Sequence, residues 1–268
     1  MSRGVLGRFV ACGLLLALAA CAATEDSGPA AVARRAAQAL SEKAKGDDYR
    51  DGKNGVGVDY SQAVKWYWLA VEHGNTGASN NLAAMYLKGL GVPEDIPQAM
   101  KLYRLAASGG NGYAMVSLGD LAQKGVGGPK DDADAARWYR RAIDTDGNTV
   151  AMNELAIAYE YGRGVPKDID QAVRLYLAAA NGGNAVAMVN LGNLYVTGRG
   201  VPQSDAQAAA WYRKAAELGD AGGERALGYM YLEGRGVPQN LNEASKWLKL
   251  VAQPQFTVPK QQPQQPTQ

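Results

Sequence analysis

The chain has 268 residues, 20% charged and 47% hydrophobic, a composition that excludes disorder as the default and leaves room for one repeat domain or two globular ones. Its 28 basic and 26 acidic residues become 26 of each once Arg3 and Arg8, in a predicted targeting segment, are set aside. Nucleic-acid-binding domains concentrate basic charge to neutralise phosphates, so this even balance excludes nucleic acid as a partner.

Arg3 and Arg8 form a positive region ahead of an apolar run, Val10 to Ala20, that is too short to span a bilayer and suits the hydrophobic region of a signal peptide. It ends in Leu18-Ala19-Ala20-Cys21, which resembles the bacterial lipobox. The resemblance implies a signal peptide over residues 1–20, lipidation at Cys21 and a lipid-anchored linker over 21–29. Several acyl chains on one cysteine would hold the protein on the membrane, since each buried CH2 contributes about 0.8 kcal/mol. Inner-membrane retention favours Asp after the cysteine, and Ala22 stands there. The expected location is therefore the outer membrane, on its periplasmic face, with the cell surface as the alternative. Cys12 lies in the signal, so the mature body has no cysteine beyond the anchor and no disulfide, thiolate nucleophile or Cys-based metal site.

Pro29 to Lys45 is Ala-rich and predicts a helix that either caps the N-terminal end of the domain or forms the first half of its opening unit. Beyond it the chain repeats. Gly91-Val92-Pro93, Gly127-Gly128-Pro129, Gly164-Val165-Pro166, Gly200-Val201-Pro202 and Gly236-Val237-Pro238 start 36, 37, 36 and 36 residues apart, and Gly55-Val56-Gly57 marks a degenerate first copy. Each unit opens with a predicted helix carrying a small residue, Leu and an aromatic on one face: Ala78, Leu82, Tyr86; Ala151, Leu155, Tyr159; Ala187, Leu191, Tyr195. Ala122 replaces the aromatic in the second unit and Gly223 the Ala in the last. A glycine closes each first helix, at Gly89, Gly125, Gly162, Gly198 and Gly234, and the proline beyond prevents resumption.

The second helices start at polar caps with a partner three residues on: Asp59 and Gln62, Asp95 and Gln98, Asp168 and Gln171, Ser204 and Gln207, Asn240 and Glu243. They then repeat a small residue, a large pair and two small residues, as in Ala208, Trp211-Tyr212, Ala215-Ala216 and Ala172, Leu175-Tyr176, Ala179-Ala180. Large rings against Ala let neighbouring helices approach closely.

The combination Ala-x-x-x-Leu-Gly-x-x-Tyr, Gly-x-Gly-Val-x-x-Asp and Ala-x-x-Trp-Tyr-x-x-Ala-Ala resembles the Sel-one-like repeat, a relative of the tetratricopeptide repeat. The resemblance covers Gly55 to Ala252. It implies an all-α fold, an α-solenoid of antiparallel helix pairs in a right-handed superhelix, with five full repeats plus the degenerate N-terminal one. The solenoid is expected over residues 30–252, followed by a disordered Pro/Gln-rich tail over 253–268.

Nothing in the sequence assembles catalysis, a metal site or a cofactor site. His73 is the only histidine and falls where it would cap the end of a second helix. Asp144-Thr145-Asp146-Gly147-Asn148 lacks the Gly and Glu a calcium loop needs and reads as the turn that absorbs the extra residue of its unit. The Gly-x-Gly turns follow no strand, so they are not phosphate cradles. Arg163, Arg199 and Arg235 share one turn position and are expected in a row, neutralised by nearby acids. Trp66, Trp138, Trp211 and Trp247 share one repeat position and serve packing, whereas Trp68 is out of register and expected at the surface.

In tetratricopeptide-like proteins the first helix of each pair lines the concave face. Positions two before and two after the core Leu of each first helix place Asn80, Asp120, Asn153, Asn193, Arg225 and Tyr229 there as partner-binding residues. Asn side chains suit the backbone of an extended peptide. The resemblance implies a non-enzymatic scaffold or adaptor for a protein or peptide partner, in envelope or polysaccharide-export assembly. One alternative is a hydrolase of cell-wall or β-lactam substrates, as linked to Cys-rich relatives whose disulfide in every repeat this chain lacks. The other is a surface-exposed host-interaction factor.

Overall fold

The structure, a computed structural model, describes residues 28–248. The signal segment, Cys21 and the Pro/Gln-rich tail fall outside the described residues. Among the described residues every regular element is helical, and the chain divides into two compact units after Ala114.

In the first unit, α1 (Pro29–Asp51), α2 (Tyr60–Glu72), α3 (Thr76–Lys88) and α4 (Ile96–Ser108) pack consecutively across short turns, which makes neighbours antiparallel. Pro29 opens α1 at a position where no amide partner is needed. This helix runs past the predicted Lys45 to Asp51, which completes the degenerate first copy as a helix pair. Gly46 sits in its middle because a Cβ there would lie 2.6 Å from the ring of Tyr67. The ring takes the space a side chain would need there, and its hydroxyl donates to Asp47 Oδ1 at 2.7 Å.

The division falls within the first turn of α5 (Gly112–Lys124), and the second unit holds the rest of it with α6 (Asp132–Asp146), α7 (Thr149–Tyr161), α8 (Ile169–Asn181), α9 (Ala185–Thr197), α10 (Asp205–Glu217), α11 (Ala221–Glu233) and α12 (Leu241–Leu248). From α6 onward each helix packs on the next, and α9 also touches α11, the first helix of the following repeat. The extra residue of the 37-residue unit is absorbed by a longer α6, closed by Gly147 with Asn148 capping α7.

Caps fix the helix starts. Asp59, Asp95, Asp131, Asp168, Ser204 and Asn240 each accept from the backbone N–H three residues on, at 2.8 to 3.2 Å. Asn75, Asn111, Asn148, Asn184 and Asp220 do the same for the first helices. The second glycine of the Gly-x-Gly turn has a packing reason: a Cβ on Gly164 or Gly236 would land on the carbonyl of Asp132 or Asp205 at the start of the preceding second helix.

The buried interior is Ala, Leu and Tyr, with Tyr67, Tyr139 and Tyr176 among the largest fully buried side chains. The shared-position tryptophans are half-buried at its edge, with Lys45 over Trp66, Arg141 over Trp138, Lys214 over Trp211 and Lys246 over Trp247 at 4.0 to 5.4 Å. Trp68 differs from expectation: it is half-buried, donates to Tyr86 Oη at 3.3 Å and meets that ring edge-on, because the aromatic of α3 reaches it. His73 caps α2 as expected and ties it to α1, its Nδ1 standing 2.7 Å from Glu42 Oε2. No described helix is long and apolar enough to cross a membrane.

Candidate functional site

The tyrosine in the middle of the second helices α2, α4, α6, α8 and α10 organises the site; α12 carries Leu248 there. In three pairs a glycine receives its ring: Gly46 for Tyr67, Gly119 for Tyr139 and Gly192 for Tyr212. The residue after that glycine accepts the hydroxyl, Asp47 at 2.7 Å, Asp120 at 2.8 Å and Asn193 at 2.7 Å. Burial pushes these phenols above their usual range, Tyr212 to about 12, so they stay protonated and donate.

The α7–α8 pair departs from the pattern. Ala156 stands in the glycine place and Ile157 in the acceptor place. Tyr176 Oη therefore donates one turn further on, to Glu160 Oε2 at 2.8 Å. Glu160 is buried, and its other oxygen meets Arg199 Nη1 from the next turn at 2.9 Å. Ile157, Glu160, Tyr161, Tyr176, Asn190, Asn193, Leu194, Thr197 and Arg199 line a cavity of about 220 Å³ between α7, α8 and α9. Asn193 spends its oxygen on Tyr212 and Asn190 its nitrogen on Asn153 at 2.9 Å. The Asn193 nitrogen and Asn190 oxygen have no partner among the described residues, one donor and one acceptor beside an apolar wall.

The positions expected to line the binding face divide. Asn193 is exposed and lines the cavity, and Arg225 and Tyr229 are exposed on α11. Asp120 is half-buried and holds Tyr139. Asn80 is half-buried on α3, with a buried oxygen lacking a hydrogen-bond partner. Asn153 corrects the expectation. It is 2% exposed, because its amide bridges Asn190 and Glu154, so it braces the face from beneath. Burial raises the Glu154 carboxyl above its ordinary value, against the Asn153 hydrogen bond.

Sequence reading missed Glu160, Tyr161, Tyr176, Asn190, Thr197 and Arg199 as one site. The signal was Glu160 where other repeats have Leu87, Gln123, Val196 and Leu232, together with Ile157 at a place held by Asp120 and Asn193 in two repeats and by Ala84 and Tyr229 in two others.

The turn arginines are not equivalent. Arg235 forms a bidentate pair with Asp205 at 2.9 and 3.1 Å, and Arg199 pairs with Glu160. Arg163 makes no ion pair among the described residues. Its guanidinium rests 5.1 Å from the centre of the exposed Tyr161 ring, with Arg199 at 5.9 Å from the same ring. Asp132, which matches Asp205 in sequence position, meets Lys130 at 3.3 Å instead. Among the described residues no group of three or more His, Cys, Asp or Glu is placed to hold a metal ion.

Capped antiparallel helix pairs repeating one ring-on-small-residue contact define an α-helical repeat protein. The Sel1 repeat model matches residues 46–75, 77–111, 112–144, 149–184, 185–220 and 221–253, so the chain belongs to the Sel1-repeat family, whose fold is typically a non-catalytic protein-interaction scaffold. The first matched copy starts at Gly46, inside α1, and is the degenerate repeat of the sequence reading.

A Sel1 repeat protein from Oxalobacter formigenes is similar at 34% identity and a TM-score of 0.74, over 85% of this chain and 91% of that one. The c5321 protein of uropathogenic Escherichia coli, a protective antigen with this fold, is 34% identical with a TM-score of 0.61 over 78% of this chain, which spans only 44% of that longer one. The immunity protein Pa5087 from Pseudomonas aeruginosa, 22% identical with a TM-score of 0.57 over 80% of each chain, shares the fold. No curated protein sequence matches the chain.

Proposed function

We propose that the protein is a non-enzymatic adaptor, anchored to the outer membrane through lipidated Cys21 and facing the periplasm, that holds an extended segment of a protein partner along its first helices. The observation that carries this reading is the α7–α9 cavity. It sets one unpaired amide donor and one unpaired acceptor, Asn193 and Asn190, beside Ile157, which is what a peptide backbone with an apolar side chain requires. The sequence supports the anchor with the Leu18-to-Cys21 motif and the assembly role with its family.

A photo-crosslinking residue at position 193 tests the groove in living cells, with position 174 on the outer side of α8 as the control. Adducts at 193 that vanish with Asn190→Ala support the reading, and equal adducts at both positions sink it. Palmitate labelling that persists in Cys21→Ala would remove the anchor. The surface-exposed, host-facing reading draws on the protective-antigen description of the E. coli relative. Degradation by protease added to intact cells would favour it over the periplasmic one.

A further inference from the structure

The three turn arginines share a sequence position but not a state, and the difference is local to the cavity. Arg235 is held along one edge by Asp205 and faces Glu233 with the other, and Arg199 pairs with Glu160. Arg163 alone is uncommitted, laid over Tyr161, which itself lines the cavity. Asp132 cannot serve it as Asp205 serves Arg235, since its one ion-pairing oxygen faces Lys130 and its other is buried. The remaining nearby acid is Glu154, half-buried, bound to Asn153 and within the field of both Lys124 and Arg163. Within the cavity the Glu160 charge is already cancelled by Arg199 and capped by Tyr176. The rim therefore carries a guanidinium that forms no ion pair among the described residues and shares its field only with half-buried Glu154, and a guanidinium forms paired hydrogen bonds to a carboxylate.

Resting on the adaptor reading, we propose that this site selects an extended partner segment in which an acidic residue adjoins an apolar one. The apolar side chain sits on Ile157 and Leu194, and the acidic carboxylate meets Arg163 at the Tyr161 rim. Asn193 and Asn190 hold the intervening backbone. About 220 Å³ admits one side chain, so the acid stays at the rim, where Arg163 stands.

The test is an array of short synthetic peptides, with two adjacent central positions varied over all residue types, probed with the purified chain. Retained spots should be enriched in Asp or Glu beside Leu, Ile, Val or Phe. Arg163→Ala should weaken acid-containing spots about two- to five-fold while sparing purely apolar ones, and Arg163→Glu should shift the preference to Lys or Arg. Arg163 is exposed, so both variants should melt with the parent. Arg174→Glu, an equal charge change on an exposed residue of α8, should leave the preference in place. An array without acid preference, or an acid preference untouched by Arg163→Glu or lost equally in Arg174→Glu, overturns the proposal. If apolar spots still bind and depend on Asn190, the adaptor reading survives that failure. If no peptide is retained, both fall.

Discussion

Tyr67 in α2 and Tyr176 in α8 occupy the same place in their repeats, yet one closes a network and the other opens a cavity. Tyr67 donates to Asp47, the residue beside the glycine its ring covers, and Lys43, Arg50 and Asn81 converge on the same carboxylate. Tyr176 finds Ile157 at that place and reaches Glu160 a turn away, which recruits Arg199. Moving the acceptor leaves room above Ile157, bounded by the amides of α9. Ile157 and Glu160 together thus give this repeat a cavity where its counterpart has a hydrogen-bond network.

The comparison predicts unequal costs. Tyr176→Ala removes a ring that is 1% exposed and should destabilise the chain by about 3–5 kcal/mol in urea unfolding. Tyr176→Phe deletes only the donor to a buried carboxylate and should cost about 1–2 kcal/mol. Tyr67→Phe should cost under about 1 kcal/mol, because Asp47 keeps its other donors. Equal losses in the two Phe variants would break the comparison.

Alkaline pH acts on the same tyrosines. Tyr212 is raised from 10.0 to about 12, first by burial. A folded pKa above the unfolded one gives stability that is complete below pH 10 and lost as pH rises through 12, about 3 kcal/mol for this residue. Tyr67, Tyr139 and Tyr176 shift the same way. Unfolding free energy measured from pH 8 upward should therefore stay level to about pH 10 and then fall, with a shallower slope in Tyr212→Phe. A flat profile to high pH would contradict the buried-donor account.

The two arginine pairs sharpen the point at a smaller scale. Arg199→Met strands Glu160, whose side chain is 7% exposed, but Arg199 itself is 42% exposed and solvent screens part of the loss. We expect about 1–2 kcal/mol, recovered largely in Glu160→Gln/Arg199→Met. Arg235→Met leaves Asp205 at 32% exposure and should cost under about 1 kcal/mol.

The fold was legible because each level repeats the same signal: the period, the caps at Asp59 and Asp95, the closing glycines and the Ala–Tyr frame agree. The Asn75, Asn111 and Asn184 caps on the first helices were equally readable and went unread. The site was less legible because spacing places a residue on a face without revealing its partners. Asn153 and Asn193 hold the matched positions before and after the core Leu, yet Asn153 is spent on Asn190 beneath the surface. Glu160 and Arg199 are 39 positions apart and become neighbours only because their repeats stack. Arg163, Arg199 and Arg235 look identical in sequence, and only Asp132 against Asp205 and Glu160 separates their fates.

The smallest expected effect bears directly on the uncommitted arginine. Burial raises the Glu154 carboxyl above 4.5, so its contribution to stability is present below that value and lost as pH rises through the folded value. When it ionises, Glu154 is a half-buried charge compensated by the Asn153 amide, Lys124 and Arg163. Glu154→Gln keeps an acceptor for Asn153 and removes that charge, so it should stabilise the chain above the folded value of Glu154 and flatten the fall in stability as pH rises from 4.5. It also removes the acid that competes for Arg163. The variant should thus bind acid-containing peptides more tightly while binding apolar ones as before. Weaker binding of acidic peptides would mean that Glu154 positions Arg163 rather than competing for it.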